Sequence, residues 1–216
     1  MKSRTDIAAL RKNYALHALN EADVNPDPIQ QFATWFQEAL DAQITEPNAM
    51  TLATANASGR PVARTVLLKD FDNEGFVFYT NYESRKAADL KVNPQACLLF
   101  TWLDLERQVC IEGTVQKVAE SESLAYFQSR PKGSQIGAWA SPQSRVIPSR
   151  EILEKNMEQL TAQYAEVDVL PLPEHWGGFR VSPQRIEFWQ GRSSRLHDRI
   201  VYTREGQAWT IERLAP

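Results

Sequence analysis

Two cysteines, three histidines and nine glycines among 216 residues leave little material for several common kinds of site. Cys97 and Cys110 sit in apolar, strand-like runs and read as buried core thiols in a reducing compartment rather than as a disulfide framework. His17, His175 and His197 are far apart in the chain, so a metal site has no local support, and paired-cysteine zinc spacing and H-E-x-x-H are both missing. The only adjacent glycines are Gly177-Gly178. Without G-x-G-x-x-G or a Walker loop, dinucleotide binding on a Rossmann unit is unsupported. Gly133-Ser134-Gln135-Ile136-Gly137 has its serine one place away from where a nucleophile elbow needs it, which argues against serine-hydrolase chemistry. No apolar run approaches a membrane span, and Met1-Lys2-Ser3-Arg4 is not followed by an apolar signal region. A net charge of −3 gives no general pull toward nucleic acid or anionic lipid. The chain reads as soluble and cytoplasmic, with no metal, nucleic-acid or membrane partner, and any anion it binds must be held by local basic residues.

What is present fits one globular α+β domain spanning residues 1–216, with residues 1–24 an N-terminal segment free to move. Ile7, Leu10 and Tyr14 predict a short helix over residues 6–19. Asn25-Pro26-Asp27-Pro28 is a break and a helix start, with Asp27 as cap. Ile29, Phe32, Ala33, Phe36 and Leu40 then recur at helical spacing until the chain nears Pro47. From Ala49 the period changes to two, predicting strands at 50–54, 62–68 and 76–80, a short helix at 84–92, and strands at 96–102 and 107–118. Helices are predicted at 121–130 and 149–164, with a polar, irregular loop over 132–148 between them. Strands resume at 178–181 and 185–189, and a hairpin over 200–203 and 208–211 turns at Glu205-Gly206-Gln207. This meander favours an antiparallel barrel over a βαβ sheet.

Basic residues recur where a solvated face does not need them. Arg64 and Lys69 bracket the apolar run Thr65-Val66-Leu67-Leu68. Their odd separation points them to opposite faces of an unbulged strand, able to serve two different anions. The alternative is that both stems snorkel from the strand ends into solvent. Arg85-Lys86 follows Ser84 at a helix start, where free N–H groups and the dipole favour phosphate, although such pairs are often plain surface. Tyr126 and Arg130 lie one helical turn apart, with Ser134 just past the Pro131 break. Together they can hold a phosphate dianion, and a tyrosine packed on an arginine stem explains the first two as well. In Gly191-Arg192-Ser193-Ser194-Arg195-Leu196-His197-Asp198-Arg199, strand alternation puts Arg195, His197 and Arg199 on one face and Leu196 and Asp198 on the other. Such a face suits a planar, anionic heteroaromatic molecule, since guanidiniums stack on rings and a histidine hydrogen-bonds a phenolate. Exposed arginines neutralised by Asp198 are the structural alternative, which leaves the one-sided face unexplained.

The stretch from Ile186 to Arg199, with its blocks Glu187-Phe188-Trp189-Gln190 and Arg195-Leu196-His197-Asp198-Arg199, resembles the diagnostic motif of the pyridoxamine 5′-phosphate oxidases. The resemblance covers nearly the whole chain. It runs through Arg64-Thr65-Val66-Leu67-Leu68-Lys69, Phe78-Tyr79-Thr80-Asn81, Leu105-Glu106-Arg107-Gln108-Val109, Ser129-Arg130-Pro131, Trp176-Gly177-Gly178-Phe179-Arg180 and Arg213-Leu214-Ala215-Pro216. At the N-terminus only Leu10-Arg11 and Tyr14 carry over.

That resemblance implies an FMN-binding split β-barrel of antiparallel strands with flanking helices, assembled as a homodimer with FMN at the interface. It implies that Arg64, Thr65, Val66, Leu67, Leu68, Lys69, Tyr79, Thr80, Arg85 and Lys86 hold the cofactor's phosphate and nearby flavin edge. Gln108, Gln143, Ser144, Trp189 and Arg199 would complete the cofactor site. Lys69, Tyr126, Arg130 and Ser134 fall to the substrate phosphate, Arg11 and Tyr14 to the substrate, and Arg195, Leu196 and His197 to its ring, with Arg195 and His197 catalytic. The implied reaction oxidises pyridoxamine 5′-phosphate or pyridoxine 5′-phosphate to pyridoxal 5′-phosphate, in vitamin B6 biosynthesis and salvage. Molecular oxygen is the acceptor, and hydrogen peroxide is released, with ammonia from the amine. A nicotinamide-dependent flavin reductase on the same barrel is one rival, opposed by Arg195-Leu196-His197 and the second phosphate cluster. A flavin or pyridoxal-phosphate carrier without turnover is the other, opposed by the intact Arg195 and His197.

Overall fold

The computed structural model describes residues 9, 10 and 12–216. The first helix, α1 (Pro28–Asp41), starts where expected: Asp27 accepts from the Ile29 N–H at 2.8 Å, and Pro28 occupies the first turn, where an N–H has no helical partner anyway. Its buried stripe runs through Ile29, Phe32, Trp35 and Ala39, while Leu40 is exposed. Strands β1 (Ala49–Ala55) and β2 (Pro61–Leu67) form a hairpin, and β3 (Asp70–Asp72) pairs with β4 (Gly75–Asn81). Then come α2 (Arg85–Val92), β5 (Gln95–Trp102), β6 (Arg107–Lys117), α3 (Glu120–Ser129), α4 (Lys132–Ala140) and α5 (Glu151–Gln163). The chain closes with β7 (Trp176–Gln190), β8 (Asp198–Glu205) and β9 (Ala208–Arg213). Strands hydrogen-bond in the order β2-β1-β5-β6-β7-β4-β3, with β8 on β7 and β9 on β8. No helix among the described residues is long and apolar enough to cross a membrane.

Two compact units interleave along the chain. One comprises the described residues up to Pro47 with Leu98–Ile111 and Gln184–Pro216. Its core is aromatic: Phe32 meets Phe100 at 5.0 Å and Trp35 meets Phe188 edge-on at 5.2 Å, both favoured ring geometries. The other comprises Asn48–Cys97 and Glu112–Pro183. Its sheet buries Leu52, Phe76, Phe78 and Val181, and a satellite cluster of Phe127, Ile136, Leu170 and Trp176 lies under its helices.

Four expectations need correction. Residues 9, 10 and 12–19 form no helix; the chain there is held by long-range bonds, Ala15 N–H to Glu106 and Leu19 N–H to Asp198. The predicted loop over 132–148 contains α4, which buries Gln135, Ile136 and Ala140. Its two glycines weaken the helical signal, and packing restores the helix. The strands predicted at 178–181 and 185–189 are one, β7. Pro183 falls where pairing with β4 has ended at Val181 and pairing with β8 begins at Arg185, so its missing N–H breaks no bond in either of those ladders. Cys97 and Cys110 are half-buried rather than core residues.

Gly75 is held at φ +141°, with the Val181 carbonyl of the neighbouring strand inside the space a Cβ would need. Gly206, in the β8–β9 turn, has φ +65° and open space around the same position. In urea titrations, Gly206→Ala should therefore cost about 1 kcal/mol and Gly75→Ala more than about 3 kcal/mol, because only the second adds a backbone collision to the unfavourable φ. Equal, small losses would show that β3 and β4 yield freely at this turn.

Candidate active site

The unit built from Asn48–Cys97 and Glu112–Pro183 holds a cavity of about 560 Å³. Arg64, Lys69, Lys86 and Arg130 line it, and among the described residues no carboxylate does. Arg64 leaves β2 opposite Leu52 of β1; its Nη1 donates to the Leu52 carbonyl at 3.1 Å and to Thr54 Oγ1 at 2.8 Å, and its Nη2 lies 3.9 Å from Asp89 on α2. Burial disfavours the guanidinium's charge more than Asp89 supports it, so its pKa lies below the ordinary arginine value. Lys86, in the first turn of α2, donates to Gln143 Oε1 at 2.8 Å, Thr80 Oγ1 at 3.0 Å and Ser84 Oγ at 3.3 Å, all uncharged acceptors. Burial, then the neighbouring Arg64 charge, lowers its pKa too.

The other two cations lie against aromatic rings. Tyr79 stacks on Tyr126 at 4.0 Å and on Trp176 at 5.5 Å, giving a near-parallel wall. The Arg130 guanidinium sits 4.8 Å from the Trp176 centroid, and Lys69 Nζ 6.0 Å from that of Tyr126. Arg130 Nη1 is buried with no hydrogen-bond partner among the described residues, and burial depresses its pKa. An unpartnered buried donor on a cation is costly in the empty protein and ready for an anion. Ser134 lies nearby in the first turn of α4, at that helix's positive end. The Tyr79 phenol is pushed up to about 12 by burial and by the Glu122 and Asp70 charges, so it stays a donor.

The unit containing the C-terminal strands holds a second cavity, of about 610 Å³, lined by Lys12, Tyr14, Arg192, Arg195 and His197 among others. Between β7 and β8 the chain makes a tight turn over Ser193–Arg195, with Ser194 at φ 55° and Arg195 at φ 61°. Left-handed backbone costs an L-residue about 1–2 kcal/mol, and such strain concentrates at functional sites. His197 Nδ1 accepts the Arg192 backbone N–H at 3.0 Å. A backbone N–H only donates, so the neutral ring carries its proton on Nε2. The ring centroid lies 4.5 Å from that of Trp189 and 5.9 Å from that of Tyr14. Arg199 forks onto Glu187 with bonds of 2.7 and 3.0 Å. Burial raises the Glu187 pKa, but the hydrogen bonds and charges of Arg199 and Arg185 outweigh it and hold the carboxyl below its ordinary value.

Measured against the sequence, the structure brings Arg64, Thr65, Val66, Leu67, Lys69, Tyr79, Thr80, Lys86, Tyr126, Arg130, Ser134 and Gln143 to one cavity. Arg64 and Lys69 do not serve opposite faces: β2 ends at Leu67, so strand parity does not reach Lys69. Leu68 turns into the core, Arg85 is exposed, and Ser144 is exposed at φ 70°; none of the three lines the cavity. Gln108 and Trp189 are half-buried in the other unit, and Leu196 is exposed there beside His197. Arg195, His197 and Arg199 do not form one strand face, because the strand begins at Asp198 and Arg199 is committed to Glu187. Arg11 lies outside the described residues. Sequence reasoning quoted Trp176 without giving it a role; only the fold shows it joining the aromatic wall.

The family model for pyridoxamine 5′-phosphate oxidase matches residues 36–164, and that for the pyridoxine 5′-phosphate oxidase C-terminal dimerisation region matches residues 176–216. A pyridoxine/pyridoxamine 5′-phosphate oxidase of Paraburkholderia phymatum is 61% identical over 211 residues, covering 97% of this chain and 99% of that one. One of Gloeothece citriformis is 60% identical, covering 97% and 98%. Among solved structures, PhzG from Burkholderia lata, in complex with tetrahydrophenazine-1-carboxylic acid, superposes with a TM-score of 0.87 at 32% identity, covering 93% of this chain and 99% of that one. A pyridoxamine 5′-phosphate oxidase-related, FMN binding protein from Nostoc punctiforme, at 17% identity and TM-score 0.69 over 88% of this chain and 98% of that one, shares the fold, an antiparallel split barrel.

Because the Glu187 carboxyl titrates below its ordinary 4.5 when folded, its pairing stabilises the protein fully above that pH and fades as pH falls toward the lower folded value. Glu187→Gln should therefore be less stable than the wild type at pH 7, and the gap should narrow as acid titration proceeds below 4.5. Denaturant midpoints at pH 7 and pH 3.5 check this; a gap unchanged with pH would mean that the Arg199 fork contributes no charge-dependent stability.

Proposed function

The chain belongs to the pyridoxamine 5′-phosphate oxidase family, and on that premise we propose that it uses FMN to oxidise pyridoxine 5′-phosphate and pyridoxamine 5′-phosphate to pyridoxal 5′-phosphate. The observation that carries the reading is the cavity lined, among the described residues, by four cations and no carboxylate in a protein of net charge −3. Such a site is built for anions, and its contacts divide it into two groups. Arg64 and Lys86, with Thr80 and Gln143, suit the FMN phosphate; Lys69, Tyr126, Arg130 and Ser134 suit the substrate phosphate. The unpartnered Arg130 Nη1 supports the fit, as do the aromatic wall and a volume within the roughly 300–1,000 Å³ range of ligand pockets. The match of residues 176–216 to a dimerisation region supports a homodimer, and FMN at its interface is part of the same proposal.

When bound, FMN would supply the redox chemistry, a two-electron oxidation at C4′ of the substrate with molecular oxygen as final acceptor and hydrogen peroxide as its product. The chain supplies orientation and charge. Arg195 stacks on and donates to the substrate ring, and His197, with its proton on Nε2, donates to the phenolic oxygen. With Nδ1 already occupied, His197 has no free lone pair, so the proton lost in the reaction passes to another acceptor. From the amine, hydrolysis of the imine then gives the aldehyde and ammonia.

Two measurements test the reading. The purified protein should be yellow, release FMN on acid treatment, and consume oxygen with pyridoxine 5′-phosphate; release of FAD, or a colourless protein that takes up no FMN, would sink it. Arg130→Ala should lose about tenfold to a hundredfold in kcat/KM on phosphorylated substrate, since a charge-assisted hydrogen bond is worth roughly 1.5–3 kcal/mol. Its residual rate with unphosphorylated pyridoxine should barely change. Equal losses on both substrates would make Arg130 structural rather than a phosphate ligand.

A further inference from the structure

Glu106 occupies a costly position. It sits at φ 56° after β5, in the left-handed region where glycine or asparagine is the usual occupant, and the residue is only 4% exposed. A buried carboxylate on strained backbone needs a reason, and its partners provide one. Glu106 Oε2 accepts the backbone N–H groups of Ala15 at 2.9 Å and Leu16 at 3.2 Å, some ninety residues earlier in the chain. Its Oε1 lies 3.5 Å from Lys12 Nζ. Its own carbonyl accepts the Gly191 N–H at 2.7 Å, fixing the point where β7 leaves for the Arg195–His197 turn. A Cβ at Gly191 would lie 2.8 Å from the Tyr14 ring and 3.0 Å from Glu106 Cβ. Glycine there lets Tyr14 lie down on the strand end, edge-on to Trp189 at 5.9 Å and beside His197.

We propose that Glu106 is a positioning residue: its carboxylate fastens residues 12–16 so that Tyr14 is seated on Gly191 as a wall of the Arg195–His197 site, an inference that rests on the oxidase reading of that site. Glu106 touches no substrate in this scheme and acts through Tyr14. Segment 12–16 has no secondary structure of its own, and Lys12, Asn13, Ala15 and Leu16 are exposed, so the carboxylate is its principal anchor. The stored strain at Glu106 is the local cost of carrying that anchor on a tight turn.

The test uses the FMN-loaded protein and the variants Glu106→Gly, Glu106→Gln and Tyr14→Ala. Glycine accepts the φ without strain and removes only the carboxylate, whereas glutamine keeps an oxygen for the two N–H groups. Glu106→Gly should be cleaved by trypsin after Lys12 about tenfold faster than wild type and show a KM for pyridoxine 5′-phosphate raised about tenfold, with flavin content retained. Glu106→Gln should stay within about threefold on both counts. Because Glu106 acts through Tyr14, adding Glu106→Gly to Tyr14→Ala should change KM by less than about twofold. Wild-type cleavage and KM in Glu106→Gly, or losses that multiply in the double variant, would overturn the proposal. If the wild type fails to oxidise pyridoxine 5′-phosphate at all, the oxidase reading fails, and the cleavage comparison alone decides whether Glu106 is the anchor.

Discussion

Four positive charges around one cavity repel one another, and much of the unit that carries them can be understood as an answer to that repulsion. Two like charges about 6 Å apart in a half-buried setting oppose each other by roughly 3 kcal/mol. Three devices hold the four cations. Arg64 is pinned by Thr54 and the Leu52 carbonyl with Asp89 behind it, Lys86 by three neutral oxygens, and Arg130 and Lys69 by ring faces. Among the described residues only Asp89 pairs with one of these cations, and at 3.9 Å it is a weak partner that also accepts from Thr54. Full neutralisation by carboxylates would stabilise the empty protein and leave nothing for a phosphate. Burial is the main cause of the lowered pKa values of Arg64, Lys86 and Arg130, with the Arg64 charge adding to it at Lys86, and an incoming dianion offsets that cost of holding charge. Anion binding and folding stability are thereby linked in this unit.

The elements that alternation or a cap predicts are the ones that local physics decides. β1 and α1 are found nearly as read because their buried side chains recur at the period of the element and because Asp27-Pro28 is a start signal in itself, while β4 is legible as a short apolar run buried almost throughout. The misreadings share a different cause, since each depends on contacts distant in sequence. Residues 12–19 carry a faint helical period, yet their N–H groups are taken by Glu106 and Asp198. α4 contains Gly133 and Gly137, so its helix rests on burying Ile136 and on Gln135 closing the carbonyl ends at Gln128 and Arg130.

The proposed site was readable as chemistry before it was readable as geometry. Residue types and spacing made Tyr126, Arg130 and Ser134 one candidate phosphate-binding set beside a plain packing alternative, and it was the family resemblance that assigned them, and Arg195 with His197, their expected roles. What they did not supply was grouping. Parity sent Lys69 away from Arg64 because it assumed that the strand continued past Leu67, and it aligned Arg199 with His197 across a turn that is not strand. Two other contributors, Trp176 and Glu106, lay inside quoted blocks without a role, since the stacking of one and the reach of the other appear only once the chain has folded.

Backbone strain is concentrated around the His197 site. Among the described residues, the non-glycine positions with positive φ are Gln43, Glu46, Glu106, Ser194 and Arg195 in the unit that carries His197 and Ser144 in the other; Ser194 and Arg195 are consecutive there, and Glu106 holds the segment that bears Tyr14. Three such positions cost on the order of 3–6 kcal/mol, a large fraction of a typical domain's net stability. Arg195 lines the cavity, and the Glu106 carboxylate holds the strand of chain that bears Tyr14. His197 is fixed by a single backbone donor from Arg192, two residues before the strained pair, so relaxing Ser194 or Arg195 would release its tautomer as well as its position. The phosphate cavity stores its tension as unneutralised charge, whereas the ring-binding cavity stores it as backbone geometry. That division fits their proposed tasks, because a phosphate dianion is recognised by charge and a planar ring must be held by shape.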